Sequence, residues 1–135
     1  MDETASKKII WLLKVAVAFS FLYAATSGFI EPNNWVGFFP RFMTNILPGP
    51  ILLRVFEIVE VLVALALFFM KNPFYPAVLG AIMLLGVVIF NLPQLDILFR
   101  DIPIALTAIA IAVYSMEKTP LEAKTESRGK IIGEN

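Results

Sequence analysis

The chain has 135 residues, is 59% hydrophobic and has a mean hydropathy of +0.79, well past the ~45–50% apolar usage of soluble domains. Its 11 basic and 11 acidic residues cancel, so no net field points to a nucleic-acid partner. Cysteine and histidine are both absent, which excludes disulfides, thiolate nucleophiles, Cys-ligated zinc or iron–sulfur sites, His-ligated haem and the commonest proton shuttle. The expectation is one integral membrane domain, all-α, with no haem or metal of its own.

Residues 1–8 form a polar N-terminal segment, of which 1–6 are expected to be loose, with Lys7 and Lys8 ahead of a first span over 9–30. At ~1.5 Å per residue that span covers the ~30 Å hydrocarbon core. It lacks a small-x-small cleavage site followed by a polar mature domain, so a cleaved signal peptide is not expected. Ala16, Ser20, Ala24 and Gly28 recur every four residues, a ridge of small residues where another helix can approach closely. Lys14 lies about a turn and a half inside the span. It either snorkels to the near interface or pairs with an acid in the bundle.

Residues 31–50 form the longest loop, and Pro32, Pro40, Pro48 and Pro50 prevent one continuous helix there. Trp35, Phe38, Phe39, Phe42 and Met43 suit a segment lying in the membrane interface or one folded back as a lid. The interfacial anchor is the commoner role. A second span is expected over 51–70, a short turn at Lys71-Asn72-Pro73, and a third span over 75–92 closed by Asn91 and Pro93. Asp101-Ile102-Pro103 reads as an N-cap with proline in the first turn. A fourth span is therefore placed over 101–116, with residues 95–100 in the headgroup layer. From Glu117 to the end the charged tail is expected to be disordered.

Four spans make an antiparallel four-helix bundle with both termini on one side. That side carries Lys7, Lys8, Lys71, Lys118, Lys124, Arg128 and Lys130, against Arg41 and Arg100 on the other. The positive-inside rule places both termini in the cytoplasm of a multi-pass cell-membrane protein.

The second span carries an energetic problem. Its 17 apolar residues contribute about −7 kcal/mol to insertion on a translocon scale, whereas Arg54, Glu57 and Glu60 each cost up to ~3 kcal/mol near the bilayer centre. The sums nearly cancel, so these charges need partners on other helices. Glu57 and Glu60, one turn apart, repel unless compensated. Arg100 is expected to reach Glu57 or Glu60, Asp101 to take Arg54, and Lys14 to approach from the inner half. Such a network either only fixes helix register or forms an intramembrane site for a polar head group, a quinone or protons.

Three short motifs resemble the DoxX-like family of four-helix membrane proteins: Phe21-Leu22-Tyr23-Ala24 with Glu31-Pro32, Arg54 with Glu60 six residues on, and Phe99-Arg100-Asp101-Ile102. The resemblance runs from about Lys14 to Met116. Thr26-Ser27-Gly28-Phe29 stands where the family often has a basic residue, and Glu57 where a small residue is common. The resemblance implies a subunit of quinone-linked oxidoreductase or oxidative-stress complexes, with quinone as the candidate cofactor and a soluble or peripheral redox partner carrying the electrons. The alternatives are a non-enzymatic scaffold or assembly factor, and a small-solute or proton transporter. The last would require homo-oligomers, since four helices leave little room for a pathway.

Overall fold

The computed structural model describes residues 2–133, without the side chains at 119 and 122. Among the described residues every regular element is helical. Four helices are long: α1 (Glu3–Ile30), α3 (Gly49–Phe69), α4 (Phe74–Phe90) and α6 (Asp101–Gly133). Two are single turns, α2 (Arg41–Thr44) and α5 (Leu95–Leu98). By length and composition α1 and α6 can each cross a membrane. So can α4 if it is counted together with the segment Leu92–Leu98, which turns away from it by 93°.

Two expectations about the chain ends are corrected. The polar N-terminal segment is helical from Glu3, because an acid in the first turn suits the helix dipole and Lys7 Nζ closes on Glu3 Oε1 at 2.8 Å one turn later. The tail beyond Glu117 is not disordered but continues α6 to Gly133. Leu121, Ala123, Lys124 and Lys130 are strong helix formers, and Lys130 lies 3.7 Å from Glu126 in a further i,i+4 pair. Pro120 removes one backbone donor from this helix without ending it.

Helix α1 packs along α3 and α4 along α6, with further contact between α1 and α6 and between α3 and α4. Their shared core joins Val17, Ala18 and Phe21 of α1, Val63 and Leu67 of α3, Ala77 and Ala81 of α4, and Ala108 and Ile111 of α6. Alanines at these positions let backbones approach, which is how helices gain dispersion energy in lipid. The buried stripe of α1 is Val17, Phe21, Ala25 and Gly28, one position round from the small ridge read in the sequence. Ala16 on that ridge is exposed, and only Gly28 of the four is buried. A large ring sets this register. A Cβ on Gly80 of α4 would stand 3.0 Å from Phe21 Cε2 and 3.5 Å from Val63 Cγ1, so the ring of Phe21 fits where α4 has no side chain.

The prolines divide the 31–50 segment as expected. Pro32 opens a 3-10 turn, Pro40 leads into α2, Pro48 precedes α3 and Pro50 sits in its first turn. Two side chains tie this segment down. Trp35 Nε1 donates to Ser27 Oγ at 3.2 Å. Asn91, buried where α4 ends, donates from Nδ2 to Phe38 O at 2.9 Å and to Val87 O at 2.8 Å. Substituting Asn91→Ala is expected to cost ~1–2 kcal/mol, since a partly buried carbonyl loses its donor, and to speed amide exchange around Phe38 and Phe39. Unchanged protection there would mean that the segment is held by its aromatic contacts instead.

Candidate functional site

The tied-down segment roofs a cavity of about 350 Å³ between the long helices. Its wall is largely aromatic: Phe19, Phe21 and Tyr23 from α1, Trp35, Phe38 and Phe39 from the roof, Phe56 from α3 and Phe90 from α4. Ring contacts hold the roof to the helices, with Phe39 edge-on to Phe56 at 5.7 Å and Phe42 tilted against Phe90 at 5.5 Å between ring centroids. The segment lies over the cavity, and its rings find partners on α3 and α4.

Three charged residues also line this cavity: Glu60 of α3, Arg100 just before α6 and Asp101 at its start. Glu60 is buried, Asp101 half-buried and Arg100 exposed. Among the described residues Glu60 has no hydrogen-bond partner and no ion pair; its carboxylate lines the cavity. A buried charge without a partner is expensive, and such groups concentrate where a ligand completes them. In shape and size the cavity matches small-molecule sites, which are mostly apolar with a few convergent polar groups.

Arg54 and Glu57 do not join this set. Arg54 Nη1 donates to Glu57 Oε2 at 2.8 Å, and the guanidinium carbon lies 4.3 Å from the centroid of the Phe29 ring. The expected pairing of Arg54 with Asp101 is therefore corrected, as is that of Glu57 with Arg100. An i,i+3 partner on the same helix is within reach without bridging two helices. Glu57 follows Arg54 towards α1, while Glu60, one turn on, lines the aromatic cavity. The Arg54–Glu57 pair belongs to a separate groove between α1 and α3, with Ala25, Thr26 and Phe29 on its other wall.

The seat of Glu57 has a specific origin. Its Oε1 is buried with no hydrogen-bond partner, and a Cβ on Gly28 would stand 2.6 Å from it. Only glycine allows a carboxylate to approach α1 so closely. Gly28 of α1 and Glu57 of α3 thus face each other across the helix pair. Lys14 lines neither cavity. The charged group that bears on it is Lys118 of α6, so it stands apart from the acids it was expected to approach.

Sequence reasoning singled out the rings of the roof, Trp35, Phe38 and Phe39, but missed the walls that the long helices supply. Phe21 and Tyr23 were quoted only as a motif, and Ser20 and Ala24, which also line the cavity, only as a packing ridge. Gly86 lines it too, and a Cβ there would meet nothing within 4 Å. Gly86→Ala is expected to stabilise the protein by ~0.5–1 kcal/mol through helix propensity, seen as a higher Tm in detergent. A lower Tm would mean that α4 needs glycine there for a reason other than space. Among the described residues no group of three or more Asp or Glu is placed to hold a metal ion.

No protein-family model, curated protein or solved structure matches this chain.

Proposed function

We propose that the chain is a DoxX-like membrane subunit whose roofed aromatic cavity binds the ring of a quinone, with Glu60, Arg100 and Asp101 at the polar end. The observation carrying this reading is the buried, partnerless Glu60 carboxylate on a wall of aromatic rings. Aromatic faces stack on a quinone ring. A guanidinium donates to its carbonyl oxygen, and a carboxylate accepts from the hydroxyl of its reduced form. Bound quinone would supply the electron-accepting chemistry. The residues of this chain bind and orient it, and a peripheral partner protein delivers the electrons. The charged end of α6, which runs ~25 Å past residue 116, offers that partner a surface.

Four helices cross the cell membrane in this reading, with both termini in the cytoplasm. The exposed face of α3 supports its crossing despite three charges: Val55, Ile58, Leu62, Leu65 and Phe69 are all exposed, whereas Glu57 and Glu60 are buried and Arg54 lies near the roofed end.

The test uses Trp35, which lines the cavity, after Trp11 has been replaced by phenylalanine. A decyl-tailed benzoquinone should quench the remaining tryptophan saturably. Glu60→Gln should weaken that binding roughly tenfold or more, the scale of a hydrogen bond to a charged group. Quenching that only rises linearly with quinone, and equally in both proteins, would sink the reading.

A further inference from the structure

Five residues of the cavity wall are also exposed: Phe19 and Tyr23 of α1 at 67% and 62%, Ile82 and Phe90 of α4 at 62% and 56%, and Arg100 just before α6. The cavity is therefore not sealed from outside, and the four on α1 and α4 are apolar, which we take as the rim of its opening. Counted from the roofed ends of their helices, Phe19 lies ~16 Å down, Tyr23 ~10 Å and Ile82 ~12 Å, with Phe90 at the end itself. Stacked rings of Phe19 and Tyr23, 6.2 Å apart, make the α1 side of this rim. The roof, by contrast, is closed by half-buried residues pinned through Trp35 and Asn91.

A rim at that depth is apolar and faces hydrocarbon. A water-soluble ligand would have to shed its hydration to cross it, while a membrane-dissolved one would not. Volume sets a second condition. At ~30 Å³ per water-sized unit, 350 Å³ holds a ring and the start of a tail, and the rest of a long molecule must remain outside. Charge sets a third. Glu60 and Asp101 stand beside Arg100 on the cavity wall, so the guanidinium is already faced by two acids, and a neutral ring can accept from Arg100 or donate to a carboxyl group.

Resting on the proposed ring-binding role, we infer that the cavity is loaded sideways, from the bilayer leaflet on the roofed side, by an uncharged single-ring amphipath whose apolar tail stays in the lipid.

Because the chain has no cysteine, single cysteines can carry a bulky maleimide at chosen points of the Trp11→Phe protein in vesicles. Three positions suffice: Phe19→Cys at the rim, Asn33→Cys on the exposed side of the roof, and Leu65→Cys on the far face of α3. With decyl-benzoquinone already in the membrane, the rate of Trp35 quenching should fall tenfold or more for the label at 19 and stay unchanged for those at 33 and 65. A brominated anionic phospholipid should give no saturable quenching. Slowing by the label at 33 and not at 19 would overturn lateral loading, and so would no slowing by either. Saturable quenching by the brominated lipid would overturn the ligand class. If the unlabelled protein shows no saturable quenching by the quinone, the ring site itself falls, and lateral loading falls with it.

Discussion

Phe21→Ala is expected to lower the unfolding free energy by about 3 kcal/mol, the low end of the range for truncating a buried phenylalanine. The side chain is 2% exposed, and its ring lies against the bare backbone of Gly80, which the Val63 side chain also approaches. In lipid there is little water-transfer term to lose. What disappears is dispersion contact, because alanine leaves a void that α4 cannot fill without a side chain of its own at position 80. That void opens into the aromatic cavity, so a quinone bound there as proposed should also be held more loosely in the variant. Denaturant unfolding in mixed micelles, followed by circular dichroism, measures the first effect, and Trp35 quenching the second. A loss below ~1 kcal/mol, the scale of a minor repacking, would show that Phe21 is not the wedge that spaces α1, α3 and α4.

Gly28→Ala is the second large effect, at ~2 kcal/mol. The new Cβ would stand 2.6 Å from Glu57 Oε1, and the carboxylate cannot swing away freely because Arg54 holds its other oxygen at 2.8 Å. The Glu57 side chain is only 7% exposed, against 43% for Arg54, so the carboxylate is the confined partner and the guanidinium the adaptable one. Glu57→Ala should remove the clash. In the double variant the loss should fall short of the sum of the two single losses by ~1 kcal/mol or more, as for residues in direct contact. Strict additivity would show that Gly28 serves the helix for some reason other than making room for Glu57.

The sequence made the long helices legible because the physics behind them is local. Hydropathy runs marked the apolar stretches of α1, α3 and α4. Proline placement divided the 31–50 segment, and Asp101 with Pro103 marked where α6 starts. Glu60, Arg100 and Asp101 could be singled out because charges in apolar stretches stand out. Their grouping could not. Whether Arg54 turns to Glu57 or to Asp101 depends on side-chain directions separated by a fraction of a helical turn, and on a glycine across the interface. The register of α1 was misjudged for a related reason. A ridge of small residues looks like a packing face, but the actual face is centred on the one large ring that α4 accommodates. The helical tail was underestimated because charge-rich composition argues for disorder, while its i,i+4 pairs argue for a helix.

The bond from Asn91 to the carbonyl of Phe38 spans 53 residues, and this has a consequence for biosynthesis. Chains emerge N-terminus first, so the aromatic segment leaves the ribosome well before the residue that fastens it. Long-range closures of this kind come late. Helices α1 and α3 can pair while the roof is still open. The roof can be fastened only once α4 has followed, and Arg100 and Asp101 arrive after that. The aromatic wall and Glu60 are thus made before Arg100 and Asp101, and a nascent chain stopped short of residue 100 would have the aromatic pocket without the guanidinium.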